Sequence, residues 1–285
     1  MNVDKGLPPP PEPLAAPAVD AHTHLDACGC VDAADVNAVM DRAAAVGVQA
    51  AVTVADDLAA ARWVVRAAGW DERVFAAVAL HPTRTASFGD GARAEIEALA
   101  GAPRVVAVGE TGLDYYWDHS PPAAQREAFA WHIDLAKRLR KPLMIHDREA
   151  HDDVLSMLDS EGAPPDVVLH CFSGGAAMAR RCADAGYLMS FAGVVTFRNA
   201  RDLREAAKVV PAELILTETD APFLTPHPYR GRRNEPYNLP WTVRELAALR
   251  RVEEAEMAAT VTANAARLYR FAAQPAAAGQ PLRSP

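Results

Sequence analysis

The sequence predicts an α/β fold, a (β/α)8 TIM barrel, on three observations. Eight short runs of β-branched and other apolar residues alternate with Ala-rich helical segments. The runs are near-continuously hydrophobic, which suits parallel strands covered on both faces by crossover helices rather than strands with one wet face. Residues able to do chemistry gather where the runs stop, and in such a barrel the carboxyl ends of the strands and their loops form one mouth. At 285 residues the chain is near the roughly 250 of one barrel, so a single domain accounts for it.

Residues 1–17 carry six prolines, PPPPEP among them, and read as a disordered Pro-rich tail. Residues 273–285, rich in Ala, Pro, Gln and Gly, read as a second, leaving 18–272 for the barrel. Strands are expected at Ala18–Ala21, Val46–Val54, Val74–Leu80, Val105–Gly109, Pro142–Ile145, Val167–Leu169, Tyr187–Phe191 and Leu214–Leu216. Helices fill the gaps at Ala33–Ala45, Asp56–Ala68, Gly91–Ala100, Ala123–Leu139, Glu149–Asp159, Gly175–Ala185 and Ala200–Val209. More helix follows from Pro240 to Phe271, with a break near Arg251.

Lys and Arg number 29 against 37 Asp and Glu, a net charge of -8. A general acidic field opposes wide wrapping of duplex nucleic acid, though not a small site that grips one or two phosphates through local cations. No run of about 18 apolar residues appears, and the start lacks the basic and apolar regions of a signal peptide, so a cytoplasmic protein without a membrane partner is expected. The four cysteines, Cys28, Cys30, Cys171 and Cys182, form neither a disulfide framework nor paired Cys-x-x-Cys motifs. They read as incidental thiols.

The candidate functional residues follow the strands in turn. His22 and His24, in AVDAHTHLD, share one side of the first strand because side chains alternate with period two. His81 follows the third, Glu110 the fourth, His146 the fifth, His170 the sixth and Asp220 the eighth. A lone histidine at any of these points is ordinary, but the barrel gathers all of them around one opening. Four histidines and two carboxylates exceed what one catalytic zinc takes and suffice for two divalent ions. Glu110, on a middle strand, is the natural bridge; His22, His24 and Asp220 complete one site, His146 and His170 the other. Paired ions lower the pKa of a water and clamp the oxygens of a displacement. Asp220 is then both a candidate ligand and the candidate catalytic base for the attacking water. Glu218, two residues earlier, is a candidate support for the ligands, or a loop-fixing acid.

DAHTHLD, GETGLDYYWD, IHDREA, HCFSG, ETDAPFL, RNEP and the late TANAARLY, in this order, resemble the TatD family of metal-dependent hydrolases, within the amidohydrolase-like barrel superfamily. The resemblance runs from about Val19 to Tyr269. It implies a divalent-metal-dependent deoxyribonuclease acting on phosphodiesters, often from the 3′ end of single strands, with DNA as its partner. It also implies that residues matching His22, His24, Glu110 and Asp220 hold one ion and those matching Glu110, His146 and His170 the other. Two departures touch only pocket shape: Ala79 where Gly is usual before His-Pro, and Thr111 where an apolar residue is usual after the Glu.

Candidate substrate contacts are His81, Arg148, Arg232 and Asn234. Arg148 follows His146 by two and reads as a phosphate grip or a surface ion pair. Arg232 and Asn234 lie in YRGRRNEP, an arginine-rich loop after the last strand. Tyr115, Tyr116 and Trp117 read as base-stacking residues or as loop packing. An amide or ester hydrolase, such as an aminoacyl-tRNA deacylase, would use the same ligands on the same barrel, and a non-catalytic metal-binding scaffold is a third reading. The residues suit Mg, Mn or Zn, and oligomeric state stays open, with a monomer as the simplest expectation.

Overall fold

The computed structural model describes residues 6–271. Eight parallel strands follow one another round a single sheet in chain order: β1 (Ala18–Thr23), β2 (Val48–Val54), β3 (Val74–Ala77), β4 (Val105–Asp114), β5 (Leu143–Arg148), β6 (Val167–Leu169), β7 (Leu188–Phe191) and β8 (Ile215–Thr217). Between and after them lie α1 (Ala33–Ala44), α2 (Leu58–Ala67), α3 (Asp90–Ala100), α4 (Pro122–Leu139), α5 (His151–Glu161), α6 (Ala176–Asp184), α7 (Arg201–Val209), α8 (Leu239–Arg250) and α9 (Glu254–Tyr269). The expected (β/α)8 barrel is the fold. Among the described residues no helix is long and apolar enough to cross a membrane.

Every strand contributes to one apolar cluster: Val19, Ala21, Ala50, Val52, Val54, Ala77, Ala107, Met144, Val168, Leu188 and Leu216. Only the barrel interior can be shared by all eight. The opposite strand faces join the helices in a second, larger core. The end of α9 seals the interior from below. Its Ala265, Leu268 and Tyr269 belong to the interior cluster, and the Tyr269 hydroxyl donates to Ala21 O (3.1 Å). Just beyond, Phe271 stacks on Phe75 at the start of β3 (4.4 Å), and Arg270 pairs with Asp166 ahead of β6 (2.8 Å).

Local signals set the helix starts. Asp32 caps α1 by accepting from Ala34 and Asp35 N–H (2.9 and 3.1 Å). Asp57 caps α2 through Ala60 N–H (2.8 Å); each cap contributes about 1 kcal/mol. The expected break near Arg251 separates α8 from α9, with Arg251 in the left-handed region (φ 58°).

Besides β3, which ends at Ala77 rather than Leu80, three expectations need correction. The fourth strand, expected to stop at Gly109, instead runs to Asp114 as β4 and carries Glu110 inside it. Gly109 and Gly112 allow this because β5 lies so close: a Cβ at either would overlap Met144 or the His146 carbonyl. The fifth helix starts two residues later than expected, since β5 continues to Arg148 and Glu149 turns the chain at φ 55°.

The third correction concerns the N-terminal tail. Residues 7–17 lie along the barrel: Leu14 is buried, Leu14 N–H donates to Val46 O (3.0 Å), and Pro8 O accepts from Tyr237 (2.5 Å). Proline lacks an N–H but keeps its carbonyl, so side-chain donors can strap such a segment down. The expected tail at 273–285 lies outside the described residues.

Candidate metal centre

β8 and β1 are joined not by a strand ladder but by the segments that carry the candidate ligands. Asp220 N–H donates to His22 O (3.0 Å) and His24 N–H to Ala221 O (2.7 Å). The buried Asp20 carboxylate accepts from both Thr219 N–H (2.9 Å) and Thr219 Oγ1 (2.5 Å). These bonds set His22, on β1, and His24, just past its end, beside Asp220. Burial pushes the Asp20 carboxyl up to about 8 despite the Thr219 bonds.

Four donor atoms converge there. His22 Nε2 stands 3.1 Å from His24 Nε2, 3.7 Å from Glu110 Oε1 and 3.6 Å from Asp220 Oδ1. His24 Nε2 is 3.5 Å from each of the same oxygens. Tetrahedral donors around an ion at about 2.1 Å stand about 3.4 Å apart, so these separations fit one divalent ion. The His24 ring is oriented by its backbone partner, Nδ1–H donating to Val54 O (3.0 Å), which leaves the Nε2 lone pair free for a metal.

The other oxygen of Glu110 faces a second group. Oε2 lies 2.8 Å from His170 Nε2 and 3.1 Å from His146 Nδ1, and these two nitrogens are 3.3 Å apart. One carboxylate thus presents one oxygen to each cluster, the geometry of a bridge. Both groups fit a divalent ion by donor type and spacing.

Two acids absent from the expected ligand set hold this second group in place. Asp114 Oδ2 accepts from His146 Nε2 (3.0 Å) and so turns Nδ1 toward Glu110. Its Oδ1 accepts the N–H groups of Tyr116 and Trp117 (3.0 Å each). Glu218 Oε1 accepts from Cys171 N–H (2.7 Å) and faces His170 Nδ1 (3.3 Å). Glu218 was legible as a strand neighbour of Asp220; Asp114 had no signal beyond its place in the GLDYY run.

The charges are shared across the cluster. Burial alone would lift the Glu110 carboxyl, but the imidazoles of His170, His81 and His146 hold it well below the usual carboxylate range. Burial and the neighbouring His170 push His22 well down. Burial also opposes charge on His24, yet Asp220 and Glu110 carry it up to about 9. His170 is likewise raised well above its usual range, the pull of Glu110 and Glu218 outweighing burial. A divalent ion binds imidazole only in its neutral form, so metal uptake by these rings would release protons.

His81 stands apart by tautomer. Thr83 N–H donates to its Nδ1 (3.1 Å), so in the neutral ring the proton sits on Nε2, which points toward His146 Nδ1 (3.3 Å). Burial lowers its pKa to about 3 and keeps the ring neutral. A protonated Nε2 suits a hydrogen-bond donor into the site better than a ligand.

The remaining expected contacts divide. Arg148 makes no ion pair among the described residues; its guanidinium lies 3.9 Å over the Tyr116 ring. Tyr116, Trp117 and, on the other side, Phe223 are exposed at the mouth, whereas the Tyr115 hydroxyl is tied to Asp153 (2.7 Å). Arg232 lies over Tyr229 (5.7 Å) and contacts no candidate ligand.

Asn234 corrects the expectation of a substrate contact. It is 1% exposed, its amide donates to Thr219 O (3.0 Å) and Phe223 O (2.7 Å), and its oxygen accepts from Glu235 and Asn238. With its hydrogen-bonding capacity spent on protein, it pins the loop that follows β8.

A parallel barrel with paired imidazoles and carboxylates at the carboxyl ends of its strands has the frame of a metal-dependent hydrolase. Similarity to known proteins agrees. The chain belongs to the TatD family, matching TatD related DNase over residues 19–270. It is 62% identical over 256 residues to the uncharacterized metal-dependent hydrolase TatD of Mycobacterium tuberculosis, covering 88% of this chain and 97% of that one. It is 38% identical over 211 residues to the 3′-5′ ssDNA/RNA exonuclease TatD of Cronobacter sakazakii, covering 72% and 80%. Among solved structures, the TatD homologue YjjV of Escherichia coli superposes with a TM-score of 0.83 at 28% identity, over 90% of this chain and 98% of that one.

Proposed function

We infer that this chain is a divalent-metal-dependent nuclease that hydrolyses phosphodiester bonds of single-stranded DNA stepwise from the 3′ end, in the cytoplasm. The observation that carries the reading is Arg148: a cation without a carboxylate partner among the described residues, two residues after a candidate ligand, in a chain of net charge -8. In an acidic protein, a free guanidinium beside such a centre suits a phosphate. The relative from Cronobacter sakazakii is named a 3′-5′ ssDNA/RNA exonuclease, which supports substrate and polarity. Four unpaired cysteines suit a reducing compartment.

His22, His24, Glu110 and Asp220 would hold one ion and Glu110, His146 and His170 the other. When bound, two divalent ions supply a water of lowered pKa and neutralise the charge that builds on the phosphate. The protein's own groups do the rest. Asp220 accepts the proton of the attacking water and can return it to the leaving oxygen. His81 donates from Nε2 to a phosphate oxygen, and Arg148 holds the phosphate against drift. Asp114 and Glu218 keep His146 and His170 aimed. One chain supplies every ligand, so a monomer is competent.

The test is time-resolved product analysis on end-labelled single-stranded DNA, with metal-stripped protein resupplied separately with Mg, Mn and Zn. Stepwise release of mononucleotides from the 3′ end, dependent on metal and lost in His146→Ala, is the expected result. Intact DNA with fully metallated protein, together with release of acyl groups from an aminoacyl-tRNA or amide, would overturn it in favour of the acyl hydrolase.

A further inference from the structure

Five large apolar side chains among the described residues are exposed, and three lie on the segments that carry or hold the candidate ligands: Phe223 (56%), Tyr116 (51%) and Trp117 (45%). Exposed rings grouped at a polar cleft mark a surface that a ligand covers. They occupy opposite ends of the ligand array. Phe223 closes a turn on Asp220, its N–H donating to Asp220 O (2.9 Å), and its ring stands 6.0 Å from His24. Tyr116 and Trp117 are bonded to Asp114, the carboxylate that also holds His146. Glu110 lies between, one oxygen toward each half.

We propose that Phe223 and the Tyr116–Trp117 pair are two base-stacking platforms flanking the bridging carboxylate, so that the cut bond lies between two unpaired nucleotides, one on each platform. The proposal rests on the nuclease reading and says how the site selects its strand. Phe223 serves the His22, His24 and Asp220 half. Tyr116 and Trp117, perpendicular at 4.9 Å and capped by Arg148, serve the His146 half. Base–aromatic stacking tolerates any base because each has a π face, so strandedness is selected without sequence. In a duplex, pairing and stacking hold the last two bases of the strand together, so they cannot part onto two platforms.

The experiment compares the full-length wild type with Phe223→Ala and Trp117→Ala, each with Mn, on a thymidine decamer that is intact, abasic at its 3′-terminal nucleotide, or abasic at the next. Binding of a fluorescein-labelled decamer to the metal-stripped proteins is measured alongside. Each variant is expected to lose about ten-fold or more in kcat/KM on the intact strand. Each should also become insensitive to one abasic position, a different one for each, and bind the decamer more weakly without metal.

Trp117→Phe should restore most of the loss, and unchanged thermal unfolding shows that the fold is intact. Wild-type binding and wild-type sensitivity to both abasic positions in the two variants would overturn the platforms while the nuclease reading stands. Insensitivity of both variants to the same position would overturn the two-sided arrangement. A wild type that neither binds nor cuts the decamer overturns the reading and the platforms together.

Discussion

Where each imidazole keeps its proton decides what it can do. His24 donates a hydrogen bond from Nδ1–H to Val54 O and His81 accepts one from Thr83 N–H at the same atom, so the two rings face the centre with opposite capacities. The carboxylates behind His146 and His170 play the orienting part for the second group. Such partners are commonly worth 10- to 100-fold in metal affinity or activity, roughly. We therefore expect Glu218→Gln and Asp114→Asn each to weaken Mn binding by about ten-fold or more, read by titrating metal-stripped protein. Unchanged affinity in both would reduce them to loop braces. The pair His22 and His24, at the end of β1, was legible because strand alternation puts residues i and i+2 on one side. Asp114 was not, because its partner lies 32 residues away in sequence and only the pairing of β4 with β5 brings them together.

Among elements, the N-terminal strap shows what a pattern of residue types conceals. Six prolines read as a tail because proline breaks both periodicities, yet the backbone carbonyls remain to accept from side chains. Arg244 donates to the carbonyls of Glu12 (2.7 Å) and Pro13 (3.3 Å), and Thr262 to that of Pro17 (2.7 Å). Leu14 is its apolar anchor. Leu14→Ala should therefore lower stability by about 2 kcal/mol, the low end for a buried leucine, measured by urea unfolding; a change near zero would make the strap a passenger. β4 hides its length in a related way. Its extension through GETGLD contains two glycines that read as a turn, although here they let β5 approach.

For the whole molecule, eight apolar runs were enough to read the barrel, because parallel strands buried on both faces leave a plain hydrophobic record. The join between β8 and β1 left none, being made by the Asp20 side chain and by backbone past the strand end. Global stability should also carry the mark of a histidine outside the centre. His132 on α4 is buried, donates from Nδ1 to Ala128 O (2.7 Å) and accepts Leu80 N–H at Nε2 (3.3 Å). Burial lowers its pKa to about 4. The unfolded chain takes up this proton below about 6.5 while the folded protein refuses it until about 4, so stability is full above about 6.5 and falls as pH drops through that window. The linkage amounts to about 3 kcal/mol at most. His132→Gln should show a flatter fall between pH 7 and 4.5 in paired urea titrations, and that difference isolates His132 from Asp20, whose raised pKa acts with the opposite sign. Identical pH profiles would refute it. The packed interior and the floor made by the end of α9 have a topological outcome. Nothing can be threaded through this barrel, so whatever reaches the candidate ligands would have to arrive and depart by the same face.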